Sequence, residues 1–236
     1  MAYPFAPGPS LRAEHLSPAV LDRLAEYCAF RAREFKLQEA QSFQQLEDML
    51  RFNLIEEFGG GEQAAELWDT TRDREYVFPE IAPGTLATVN PVLVDGRMQP
   101  HEWLLQDGTM IKSDGSSHGD DHFFPGPTDI AWDLAGAMVE WEMDSHAAEF
   151  FLARYALWSG DDPRPRLPGF LLAYTVFRMG YCKMAFEAEA GSGEQSRLHH
   201  AYEHYRNRAQ RLASFPFELR KMAATVAKGT PQVQSQ

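Results

Sequence analysis

The chain has 236 residues, 44% hydrophobic and 24% charged, and its 34 acidic against 22 basic side chains give a formal charge of -12. This is an ordinary globular composition on a chain long enough to bury a core, which excludes disorder for most of its length. The acidic balance speaks against broad electrostatic binding to nucleic acid or to an anionic membrane. Two cysteines, Cys28 and Cys182, are too few for a disulfide scaffold or a Cys-based zinc module. The opening Met1-Ala2-Tyr3-Pro4-Phe5 lacks the basic start and apolar run of a signal peptide. No stretch reaches the roughly 18 apolar residues of a membrane span. The expectation is a soluble, cytoplasmic protein.

Residues 1–15 read as a flexible, Pro-rich lead-in. Ser17-Pro18 then offers a capping hydroxyl and a proline at the first helical position. Behind it Leu21, Leu24, Tyr27, Cys28 and Phe30 recur at spacings of three and four, which predicts an amphipathic helix. Leu46, Met49, Leu50, Phe52, Leu54 and Ile55 predict a second helix, stopped by Gly59-Gly60-Gly61. A short third helix is expected through Ala64, Leu67 and Trp68.

From about residue 76 short apolar runs replace the helical period: Tyr76-Val77-Phe78, Val92-Leu93-Val94, Trp103-Leu104-Leu105 and Met110-Ile111. Pro83-Gly84, Asp95-Gly96, Asp107-Gly108 and Asp114-Gly115 punctuate them, as turns between short strands would. Asp107-Gly108 in particular predicts a two-stranded hairpin. At Thr128 and Asp129, both good caps, the chain turns helical again, with Ile130, Leu134, Ala137, Met138 and Trp141 on one buried face. Further helices are expected near 145–158, 168–188, 196–213 and 217–227, followed by a disordered polar tail over 228–236. The fold class is α+β, mostly helical, with one domain over 16–227.

This order of elements resembles the C-terminal lobe of aminoglycoside-phosphotransferase-like kinases, which share the protein-kinase-like fold. In that family a His-Gly-Asp-x-His-x-Gly-Asn catalytic loop leads into a strand, a second strand ends at a metal-binding Asp, and a helix opens with Asp-Leu-Ala. Asp95-Gly96-Arg97-Met98-Gln99-Pro100-His101-Glu102 is similar to the loop, Met110-Ile111-Lys112-Ser113-Asp114 to the second strand, and Asp133-Leu134-Ala135 to the helix opening. The resemblance covers roughly residues 90–140 directly and the flanking helices by order and length. It implies magnesium with ATP as cofactor, Asp114 and Glu102 as metal ligands, and Asp133 as a structural brace of the catalytic loop.

The departures are chemical. Where the family carries its catalytic base, an Asp, this chain has Arg97, whose guanidinium cannot accept a proton at any useful pH. The metal-binding Asn position is Glu102, which keeps an oxygen ligand. Neither a glycine-rich loop between strands nor a Val-Ala-x-Lys strand marks a nucleotide-binding N-lobe.

A rival site lies in Ser113-Asp114-Gly115-Ser116-Ser117-His118-Gly119-Asp120-Asp121-His122, where His and carboxylate side chains crowd together. His118 and His122, with Asp114 and Asp120, suit a transition metal, and a His–Asp pair suits acid–base work. His118-Gly119-Asp120-Asp121-His122 imitates the kinase loop itself, but Pro125 stands where the metal Asn belongs and no strand pair fits before Thr128. The competing reading is a solvated loop whose side chains bond local amides. His200 and His204 share a helix face at zinc-binding spacing, but the Glu of His-Glu-x-x-His is missing and a solvated face suffices.

Three functions follow from these residues. The first is a degenerate, pseudokinase-like lobe that binds a ligand or partner. The second is an active small-molecule phosphotransferase whose N-lobe comes from another chain, with Asp120 or Asp114 as base. The third is a metal-dependent enzyme built on His118 and His122. An unpaired lobe would expose the surface that normally meets the N-lobe, so the expected partners are an N-lobe-like chain, a second copy, or a small-molecule ligand.

Overall fold

A computed structural model describes residues 8–38, 43–58, 86–87, 89–113, 126–189, 191 and 193–213. Gly59-Gly60-Gly61, the expected helix at 64–68, Tyr76-Val77-Phe78, the 217–227 helix and the 228–236 tail lie outside them. So do Asp114, His118, Asp120 and His122. The chain divides into two compact units, one of Met1–Leu50 with Pro83–Tyr174, the other of Arg51–Ala82 with Thr175–Gln236. No helix among the described residues is long and apolar enough to cross a membrane.

In the first unit, α1 (Pro18–Glu34) starts where Ser17 Oγ accepts from Val20 N–H at 3.4 Å, with Pro18 at its first position. Its spacing of three and four buries Leu21, Leu24, Ala25, Cys28, Ala29 and Ala32. That face packs on α4 (Ser145–Ser159), which contributes buried Phe151, Leu152 and Tyr155. Between them in sequence, α2 spans Phe43–Phe58.

Four short strands follow. β2 (Trp103–Gln106) and β3 (Thr109–Lys112) form the hairpin that Asp107-Gly108 predicts. Both turn residues have positive φ, 50° for Asp107 and 77° for Gly108, which matches the tight hairpin turn and the twist of the strands it joins. β1 (Pro91–Val92) pairs antiparallel with β4 (Thr128–Asp129). Thr128 and Asp129 are therefore strand residues; α3 (Ala131–Glu140) begins two residues later, and the Asp129 side chain still accepts from Ala131 N–H at 2.8 Å.

Part of the lead-in is also ordered. Leu11 N–H donates to Trp103 C=O at 2.8 Å and Leu105 N–H to Pro9 C=O at 3.1 Å, so Pro9-Ser10-Leu11 runs antiparallel along β2. Leu11 is buried by this pairing. An open edge of a two-stranded sheet offers unpaired N–H and C=O groups, which explains the attachment.

α3 is apolar almost all round, and Ala131–Ala137 are all buried. α5 (Leu167–Ala188) begins in this unit, and its Tyr174 ring meets Trp132 edge-on at 5.2 Å. Only a glycine permits that approach: a Cβ on Gly136 would lie 2.8 Å from the Tyr174 ring. In the second unit α6 (Gly193–Ala213) buries Leu198, Tyr205 and Ala209, and Glu57 accepts from Lys183, Tyr202 and Arg206. Those three donors hold the Glu57 carboxyl below its usual range against the opposing effect of burial.

Candidate functional site

The site forms around the turn between β1 and β2. Asp133, in the first turn of α3, is fully buried, and its two oxygens accept from Asp95 N–H at 2.8 Å and Gly96 N–H at 2.9 Å. The resemblance implies this residue as a brace, and it holds the turn that presents Arg97. Trp141, just past α3, donates its indole N–H to Met98 C=O at 3.0 Å and fixes the next stretch. Arg31 of α1 fixes the stretch before it through Leu93 C=O, and its Nε lies 3.8 Å from Asp133. Three side chains, from α1, from α3 and from just past its end, thus hold the backbone from 93 to 98.

Asp95 is the second buried carboxylate, and it accepts from three sides. The Tyr27 hydroxyl donates to one oxygen; the Arg97 amide, at 3.2 Å, and the Lys112 ammonium, at 3.3 Å, meet the other. Lys112 also donates to Glu102 at 2.8 Å. Glu102 closes the one-turn helix Pro100–Glu102 before β2, and its carbonyl accepts from both the amide and the hydroxyl of Ser113. The ammonium therefore ties the turn at Asp95 to the base of the hairpin.

Burial dominates the electrostatics. It pushes the Asp133 carboxyl up to about 6, helped by the neighbouring Asp95 and opposed by Arg31 and the two amides. Burial and then Asp95 raise the Tyr27 phenol, so it stays a protonated donor. Burial and then Asp133 raise the Cys28 thiol well above its usual range, which makes it inert, as expected of a cysteine inside a helix core. Arg31 is raised despite its burial because Asp133 stands beside it.

The structure thus places Arg97, Glu102 and Asp133 around one turn and strand base. Asp114, Asp120, His118 and His122 fall outside the described residues. His200 and His204 are exposed on α6. Sequence reasoning missed Tyr27, Arg31, Asp95 and Lys112. Lys112 gave one usable signal: a charged residue closing the apolar run Met110-Ile111, beside a turn rich in acids.

No family model and no curated protein matches the chain. Among solved structures, an ethanolamine kinase of Plasmodium vivax is similar over 92% of this chain and 64% of its own, with a TM-score of 0.51 and 12% identity. The choline kinase LicA of Streptococcus pneumoniae is similar over 84% and 66%, with a TM-score of 0.40 and 14% identity. The chain spans about two thirds of the length of either enzyme. The first likeness shows the fold: the chain is a kinase-like α+β protein.

The resemblance implies magnesium with ATP, held by Asp114 and Glu102, and among the described residues the donor set does not fit a divalent cation. Glu102 is the implied ligand among the described residues, and the Lys112 ammonium already occupies its carboxylate at 2.8 Å. A second cation there would meet a fixed positive charge in a poorly screened, buried position. Among the described residues, no group of three or more His, Cys, Asp or Glu could hold a metal ion.

Proposed function

We propose that this chain is a degenerate kinase-like lobe that binds a ligand or a protein partner and does not transfer phosphate by the ordinary ATP–magnesium route. One observation carries the reading. Asp133 holds the turn at Asp95-Gly96, and in the register of the resemblance Arg97, the next residue, takes the position of the base. A guanidinium stays protonated at any working pH, so it cannot take the proton of an acceptor hydroxyl. Asp95, two residues away, is committed to Tyr27, Lys112 and the Arg97 amide, which leaves it poorly placed to substitute as base.

The test is transfer of labelled γ-phosphate from ATP–magnesium to ethanolamine, the substrate named for the similar Plasmodium vivax enzyme, or to water. The expected result is no turnover above buffer. Turnover abolished by Asp120→Asn or Asp114→Asn would overturn the reading in favour of an active phosphotransferase. Thermal unfolding with ATP then asks whether the lobe still binds nucleotide. A ligand at about 100 times its Kd stabilises by about 2.7 kcal/mol, a shift of a few degrees for a chain of this size.

A further inference from the structure

The cluster of Asp95, Glu102 and Lys112 has the parts of a cation site with the cation supplied by the chain. All three side chains are nine-tenths buried or more: Asp95 is 0% exposed, Lys112 5% and Glu102 10%. Two carboxylates brought this close out of water repel one another unless a positive charge lies between them. The Lys112 Nζ lies there, 2.8 Å from Glu102 and 3.3 Å from Asp95. Its position is set by the backbone: β2 pairs Trp103 with Lys112, and Ser113 N–H donates to the Glu102 carbonyl, so strand register alone brings Lys112 beside Glu102. On the other side Asp95 sits on the turn that Asp133 grips.

We infer that Lys112 is a resident cation on Glu102, the implied metal-ligand position among the described residues, so that the turn at Asp95 and the hairpin are assembled without metal. The inference rests on the functional reading above and deepens it, because a site whose metal place is filled by a lysine assembles identically with or without magnesium. It also predicts a gain of function. Removing the ammonium leaves Asp95 and Glu102 facing one another as two hard oxygen donors, the ligand type that magnesium and manganese take.

The experiment compares wild type with Lys112→Ala in manganese, using electron paramagnetic resonance to count free Mn2+ and thermal unfolding with and without chelator. Wild type should unfold at the same temperature in EDTA and in Mn2+. Lys112→Ala should unfold lower in EDTA, bind one additional Mn2+ per chain and recover by a few degrees at about 100 times its Kd. The double variant Lys112→Ala with Glu102→Gln should lose that ion again. Mn2+ held by wild type and released by Glu102→Gln would overturn the inference, as would a Lys112→Ala protein that gains no ion. Should Lys112→Ala fail to fold even in Mn2+, Lys112→Gln keeps the stem and a donor without the charge, and the same gain decides. The two readings fail separately. Phosphate transfer sinks the functional reading and leaves the manganese comparison to be read on its own, whereas a missing manganese gain without turnover sinks only this one.

Discussion

Two clusters of carboxylates in the first unit use similar parts and behave in opposite ways. At the turn, Asp133 and Asp95 lie side by side, and the cations Arg31 and Lys112 sit at 3.8 and 3.3 Å. At the second cluster, Arg166 donates to Asp129 at 2.9 Å and to both oxygens of Asp161, while Tyr155 donates to Asp161 at 2.8 Å. The Asp133 carboxyl is pushed up to about 6, whereas the Asp161 carboxyl is held below its usual range by Arg166 and then Tyr155, against its burial. A forked guanidinium at bonding distance offsets desolvation, and a cation held slightly too far does not. The second cluster reads as a brace. It gathers the Val89 and Asn90 amides on Asp129 and ties them to the segment before α5. The first keeps charge in tension around the turn at Asp95-Gly96.

The largest break in this comparison should come from Asp133→Ala. It orphans two buried amides and leaves Arg31 without its carboxylate, and removing one partner of a buried pair costs about 3–5 kcal/mol. Urea unfolding measures it, and a loss below about 1 kcal/mol would mean that Asp133 does not hold the turn. Arg166→Met attacks the other cluster and should cost less, about 2–3 kcal/mol, because Asp129 keeps three amide donors and Asp161 is partly solvated. If Arg166→Met proves the more costly, the second cluster is the keystone and the comparison inverts.

A matched pair sharpens the contrast. Tyr27 donates to Asp95, and Tyr155 donates to Asp161. Tyr27→Phe and Tyr155→Phe each remove one hydrogen bond to a charged group and should each cost about 1.5–3 kcal/mol. Tyr155→Phe leaves Asp161 its bidentate arginine, so its cost should lie at the lower end. Tyr27→Phe leaves Asp95 the Lys112 ammonium at 3.3 Å and the Arg97 amide at 3.2 Å, neither a forked guanidinium, and its cost should lie at the upper end. Equal costs from chemical denaturation would show that the two carboxylates are equally well served.

Local signals made some of this legible in the sequence. Ser17-Pro18, Asp107-Gly108 and the three-and-four spacing of Leu21, Leu24 and Cys28 carry their own geometry, and the structure follows them. The pairing of β1 with β4 was not legible: two-residue strands have no periodicity, and only contact between distant segments makes Thr128 and Asp129 strand instead of cap. The same limit hid the site. Asp133 stood out through Asp-Leu-Ala, but Tyr27 and Asp95 meet across 68 positions of sequence, Arg31 and Leu93 across 62. Lys112 is brought against Glu102 by hairpin register, which the run Met110-Ile111-Lys112 does not disclose.

The smallest expected effect is also the most diagnostic, because it reads the charge tension directly. A carboxyl whose folded value is raised contributes stability that is fully present below its unfolded value near 4 and is lost as pH rises through about 6. Asp133 should therefore stabilise the protein by roughly 1 kcal/mol on going from pH 7 to pH 5. Asp161 and Glu57, both lowered, act in the opposite sense: their stability is present above about 4 and lost as pH falls through their depressed values. Between pH 7 and 5 those two stay ionised folded and nearly so unfolded, so the slope in that window should follow Asp133. Urea midpoints at pH 7, 6 and 5 measure it, with Asp133→Asn as the control that flattens the slope. A wild-type slope that persists in Asp133→Asn would assign the titration to another group, and the contrast between the two clusters would then rest on geometry alone.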